Sequence, residues 1–110
     1  MSFTVEDQAG ALVVQLSGEV DLSKSPAARK VILNCLKKRR HVMIDLSAVD
    51  YIDSSGVASL VEGFQYARSH DLAFGLVGAS EAAMKVLHLA HLDKVFSIYA
   101  TLDDWPGGGD

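Results

Sequence analysis

The 110-residue chain has the commonest size of a single domain, and its 49% hydrophobic and 22% charged residues exclude a disordered or fibrous protein. Fourteen acidic residues against ten basic ones give a net charge of −4, which argues against binding to nucleic acid or to an anionic membrane surface. The single cysteine, Cys35, leaves no internal disulfide, no apolar run approaches the ~18 residues of a spanning helix, and Met1–Asp7 lacks the basic start and apolar core of a secretion signal, so a cytoplasmic protein without membrane insertion is expected.

Phe3 to Gln8 and Ala11 to Gly18 are short runs split by the turn signal Ala9-Gly10, and they predict a β-hairpin. Leu12, Val14 and Leu16 alternate onto one face, Val13 and Gln15 onto the other. Ser25-Pro26 reads as a helix start, with serine capping orphan N–H groups and proline at the first helical position. The helix runs to about Lys38 on Ala28, Val31, Ile32, Cys35 and Leu36, which recur at helical spacing. Lys37, Lys38, Arg39 and Arg40 at its end complement the helix dipole. His41 to Leu46 is apolar and β-branched, a buried strand. After a loop, Ser54 to His70 predicts a second helix, with Val57, Leu60, Val61, Phe64 and Ala67 on one face. Leu72 to Val77 is strand-like and ends at Gly78. Ser80-Glu81-Ala82-Ala83 opens a third helix, with Ala83, Val86, Leu87 and Ala90 at core spacing. Val95 to Tyr99 reads as a last short strand, and Thr101 to Trp105 as a helical turn stopped by Pro106 and three glycines.

Strands separated by helices require crossover connections. The fold class is therefore α/β: a small mixed β-sheet, antiparallel in its N-terminal hairpin and otherwise largely parallel, with helices packed on it. No repeat or linker divides the chain. Residues 1–105 are expected to form one domain and residues 106–110 a mobile tail.

The stretch from Asp45 to Gly56 leads from the carboxyl end of a buried strand to a helix N-terminus, where α/β sheets commonly place ligand and modification sites. Asp53, Ser54 and Ser55 are all good capping residues, and free N–H groups there can receive an anion. Phosphate on Ser54 or Ser55 would add about −1.5 to −2 charges beside the positive end of the helix dipole and next to Asp50 and Asp53. The chain itself tolerates that charge, whereas a docked partner meets a bulky anion. Ordinary helix capping explains the same residues.

The run Ile44-Asp45-Leu46-Ser47-Ala48-Val49-Asp50-Tyr51-Ile52-Asp53-Ser54-Ser55-Gly56-Val57 resembles the signature of the STAS domain, as found in bacterial anti-sigma factor antagonists. Leu16-Ser17-Gly18-Glu19-Val20-Asp21 is similar to the family's second strand and following acidic loop, and Leu92 to Tyr99 to its C-terminal segment. The resemblance covers about residues 3–105. It implies a STAS-type sheet and a partner-switching regulator. An unphosphorylated antagonist binds an anti-sigma factor that is also its serine kinase, phosphorylation releases it, and a phosphatase resets the cycle. By position, the acceptor is Ser55, with Ser54 the lesser candidate. Asp53 and Ser54 flank it, Asp21 lies in the neighbouring loop of the partner surface, and Gly56 lets a partner's backbone approach. The alternative within the same group is a STAS subunit of an ABC-type phospholipid transporter, gripping its ATPase with the same helix end.

The remaining candidates are bland. His88 and His91 sit three apart on one helix, but no carboxylate or cysteine is placed to complete a metal site. Lys37 to Arg40 read as a solvated helix end, Cys35 as core, and Trp105 as an anchor for its own helix or for a partner. No nucleophile elbow, phosphate loop or dinucleotide fingerprint is present. His41 should lie at the far edge of the sheet from Ser54 and Ser55, out of reach as a base. No enzyme activity, metal or cofactor is expected.

Overall fold

The computed structural model describes residues 1–107; of the tail expected to be mobile, residues 108–110 lie outside the described residues. The chain forms β1 (Ser2–Gln8), β2 (Ala11–Val20), α1 (Ser25–Lys37), β3 (His41–Ile52), α2 (Ser54–Ser69), β4 (Phe74–Val77), α3 (Glu81–Leu89), β5 (Ser97–Tyr99) and a 3₁₀ turn at Leu102–Asp104. The five strands lie in the order β1-β2-β3-β4-β5, with β1 antiparallel to β2 and all other neighbours parallel. At the hairpin, Ala9 and Gly10 both take positive φ, as the turn that matches strand twist in a two-residue connection requires.

Alternation on β2 then sorts the side chains between two faces. Leu12, Val14 and Leu16 join Ile44, Leu46 and Leu76 beneath the helices, which contribute Ala28, Ile32 and Leu36 of α1, Leu60 and Ala67 of α2, and Leu87 of α3. Ala11, Val13, Met43 and Val77 form a smaller cluster on the opposite face, closed by Trp105. Trp105 thus anchors the C-terminal turn to the back of the sheet. Cys35 is buried in the main core, and burial pushes its thiol pKa up.

Several boundaries differ from expectation. β3 does not end at Leu46; it continues to Ile52 in place of the expected loop. The register explains this. Between Gln15↔Asp45 and Ser17↔Ala48, and again between Gly18↔Val49 and Glu19↔Tyr51, β3 advances one residue more than β2. Each bulge adds an unpaired residue, so the buried positions Leu46, Val49 and Ile52 fall at a spacing of three and hide the two-residue strand period. Ser25 is the first residue of α1 rather than its cap: the Asp21 carbonyl accepts from the N–H groups of Lys24 and Ser25 instead. The strands expected from Leu72 and Val95 begin two residues later, at Phe74 and Ser97.

The basic run after α1 is more than a solvated end, because Arg40 forks onto both oxygens of Asp7, at 3.0 and 2.8 Å, and ties β3 to the edge strand β1. Trp105→Ala should lower stability by about 3–5 kcal/mol, the range for emptying a buried aromatic site. Urea unfolding measures this, and a loss below about 1 kcal/mol would mean the back-face cluster is not a working core.

Candidate functional site

The extended β3 delivers Asp53 to the N-cap of α2. Its Oδ1 accepts from the backbone N–H groups of Ser55 (2.9 Å) and Gly56 (3.2 Å) and from the Ser55 hydroxyl (2.5 Å). Its Oδ2 accepts from the backbone N–H of Leu22, 3.1 Å away in the β2–α1 loop. One carboxylate therefore satisfies two orphan donors of the helix and binds a second loop to it. Asp21, in that loop, accepts from the Ser23 backbone N–H (3.1 Å) and hydroxyl (2.7 Å) and lies 3.8 Å from Lys24 Nζ. The Ser55 hydroxyl holds the Asp53 carboxyl below its ordinary range, helped by the N–H groups of Gly56, Ser55 and Leu22 against the opposing effect of partial burial. The Asp21 carboxyl is lowered likewise, first by the Ser23 hydroxyl.

The start of α1 packs beside the start of α2. The buried Ser59 hydroxyl lies 3.3 Å from the Ser25 carbonyl and 3.2 Å from that of Ser55. Ser54 is exposed and Ser55 half-buried, so Asp21, Asp53, Ser54 and Ser55 share one surface. Gly56 does not. It is buried, and a Cβ there would meet Ile52 Cγ1 at 2.7 Å and the Val20 carbonyl at 2.8 Å. The close approach expected for a partner is made by the chain's own β2 end.

Leu22 escaped the sequence reading. Its side chain is 74% exposed although its N–H is bonded to Asp53. A large apolar residue inside Asp21-Leu22-Ser23-Lys24 was the available signal. On the far side of Ser54, a groove of about 350 Å³ runs along Val57, Val86, Leu89 and Ala90, with Leu89 71% exposed. The polar helix end thus has an apolar flank on either side.

No histidine hydrogen-bonds either serine among the described residues. His41, at the opposite end of β3, accepts from the Ala73 N–H at 2.9 Å. His88 has a carboxylate neighbour that was not foreseen, Asp93 at 3.0 Å. Among the described residues, no three His, Cys, Asp or Glu side chains are grouped to hold a metal ion, and no helix is long and apolar enough to cross a membrane.

Gly56→Ala should cost about 1–3 kcal/mol by overpacking, whereas Ser54→Ala should change the unfolding free energy little. Equal stability of the two variants would contradict the packing described. Because the Asp53 shift is downward, its stabilising contribution is full above the unfolded value of about 3.9 and is lost as pH falls through the lower folded value. Asp53→Asn should therefore unfold more easily at neutral pH, with the gap to wild type closing below about pH 4. A gap that stays constant through the acid range would contradict this.

The STAS domain family model matches residues 2–105. The anti-sigma-F factor antagonist RsfB of Mycobacterium tuberculosis is 30% identical over 105 residues, spanning 94% of this chain and 85% of that protein. The crystal structure of an anti-sigma factor antagonist from Mycobacterium paratuberculosis aligns with a TM-score of 0.82 at 35% identity, over 94% of this chain and 88% of that one. The Bacillus cell fate determinant SpoIIAA in its phosphorylated form shares the fold, with a TM-score of 0.73 at 20% identity over 94% of this chain and 95% of that one. With a family model matched from the first strand to Trp105, the chain belongs to the STAS domain family.

Proposed function

We propose that the chain is an anti-sigma factor antagonist that works by partner switching. The unphosphorylated protein binds an anti-sigma factor through the surface at the α2 N-terminus, and phosphorylation of Ser55 ends the complex. The observation that carries this reading is the Ser55 hydroxyl, held against Asp53 at a helix end flanked by the exposed Leu22 and Leu89. The two leucines supply apolar contact area, and the serines, Asp53 and Asp21 supply a polar centre that a partner must match closely.

The kinase step forms a P–O bond between Ser55 Oγ and the γ-phosphorus of ATP, releases ADP and gives up the hydroxyl proton. A group of about −1.5 to −2 charges then stands beside Asp53 and Asp21, in a surface shaped to fit a neutral hydroxyl. A phosphatase restores the hydroxyl by hydrolysis. The chain acts as substrate and binding partner, without turnover of its own. Such a cycle requires the cytoplasm, where kinase, ATP and sigma factor meet.

With its cognate kinase and ATP, the protein should gain one phosphate. Ser55→Ala should block the gain and retain binding, and Ser54→Ala should leave both the gain and binding intact. Ser55→Asp should weaken binding, though less than phosphorylation does, since one carboxylate supplies less charge and fewer oxygens than phosphate. Its melting temperature should change little, because negative charge suits a helix N-terminus. Leu22→Ala should weaken binding by about tenfold, equivalent to ~1.4 kcal/mol, again without loss of stability. Mass spectrometry and calorimetric titration check these outcomes. Phosphate at Ser54, or binding by Ser55→Asp as tight as wild type, would overturn the reading. Capture of a transporter ATPase with no phosphorylation would replace it with the lipid-transport one.

A further inference from the structure

We propose that Arg29 is a phosphate-receiving arm, held by Glu62 in the unmodified protein and transferred to the phosphate on Ser55. The proposal rests on the reading of Ser55 as the acceptor and adds what the chain does with the group once it is there.

A groove separates α1 from α2. It encloses about 280 Å³, and Ser25, Arg29, Ser55, Ser59 and Glu62 are among its lining residues. Ser55, Ser59 and Glu62 recur at helical spacing on α2, and Ser25 and Arg29 stand one turn apart on α1. The Ser59–Ser25 contact of 3.3 Å closes the helices together in the middle of this stripe. Arg29 spans the groove to Glu62, with Nε at 2.7 Å and Nη2 at 2.5 Å from the same oxygen, Oε2. Both side chains are about half exposed, so the pair is weakly held and readily exchanged.

Phosphorylation changes the charges that this arm faces. The Ser55 hydroxyl ceases to donate to Asp53, and the new group stands against the Asp53 carboxylate. The other charged groups around it are Asp21 with its neighbour Lys24 on the β2–α1 loop, and Arg29 and Glu62 in the groove. Lys24 is shared with Asp21, which leaves Arg29 as the cation lining the groove that Ser55 itself lines. A phosphate offers up to two charges and three oxygens to a guanidinium that otherwise has one carboxylate, and the planar fork suits it. Glu62 lies two turns from Ser55 on the same face of α2, so the transfer moves the Arg29 side chain along the groove that both residues line. Ser54 lies on the other side of α2, in a groove lined by Val57, Val86, Leu89 and Ala90 and by no cation. The arm therefore distinguishes the two adjacent serines. Its transfer also frees the Glu62 carboxylate and adds another anion to the modified face.

The test uses the full chain with phosphoserine incorporated at position 55 during translation, so that it does not depend on any kinase. The second ionisation of the phosphate, ordinarily near pH 6, is followed by phosphorus NMR. A neighbouring guanidinium favours the dianion, so the midpoint should lie lower in the Arg29 background than in Arg29→Gln, by up to about one unit for a partly screened pair. Arg29→Lys should restore part of the shift, and Glu62→Gln should lower the midpoint further by removing the competitor. Phosphoserine at position 54 should titrate alike with Arg29 or Arg29→Gln. Identical midpoints for phospho-Ser55 in the two backgrounds would overturn the proposal. Failure of a cognate kinase to modify Ser55 would count against the functional reading alone.

Discussion

The Asp53 carboxylate accepts four hydrogen bonds from two segments of chain, and the arrangement of the whole site follows from it. Three of the donors belong to the first residues of α2, so the helix start, the Ser55 rotamer and the carboxylate are fixed together. The fourth, the Leu22 N–H, sets the β2–α1 loop against that helix end and leaves the Leu22 side chain in solvent. Without this carboxylate, the loop and the helix start would be related only through the paired ends of β2 and β3 and the bond from the Asp53 N–H to the Val20 carbonyl. The low pKa of Asp53 expresses the same fact, since every donor favours the charged form.

A site built this way can change charge without rearranging the fold. The core lies below it: Val57 and Leu60 turn inward from α2, while Ser54 faces solvent one turn earlier. Gly56 marks the boundary between the two regimes, buried against the Val20 carbonyl and adjacent to the half-buried Ser55. Negative charge at a helix N-terminus is locally favourable, so a phosphate there repels a docked partner more than it strains its own chain. The groove toward α1 sets the exposed Arg29–Glu62 pair along the same face of α2 as Ser55.

Much of this was legible in the residues because the deciding interactions are local. Ala9-Gly10 announces its turn, and the apolar repeats of α1, α2 and α3 pack on or into the core as their spacing implies, except Ala90, which follows the end of α3 and is exposed. The Asp53 cap is readable because three of its four donors lie within three residues. The second half of β3 was not readable: two bulges convert an alternating pattern into Leu46, Val49, Ile52, and a period of three looks like a loop. Ser25 has the composition of a cap, yet the Asp21 carbonyl performs that task through a turn that composition does not reveal. Arg29 and Glu62 are 33 positions apart, as are Arg40 and Asp7, and only the packed helices and strands bring each pair together. The burial of Gly56 is equally non-local, because Val20, whose carbonyl crowds it, lies 36 residues earlier in sequence.

Phosphate at Ser55 should rewrite the surface while leaving the fold in place. The most direct measurement is a residue-by-residue comparison of backbone amide chemical shifts between the unmodified and Ser55-phosphorylated chains. The expected result is a set of changes confined to the β2–α1 loop from Asp21 to Lys24, the first turns of α2 and the Arg29–Glu62 pair, with the amides of Ile44, Leu76 and Leu87 unmoved. Changes spreading through those core positions, or an unaltered Leu22 amide, would contradict the claim.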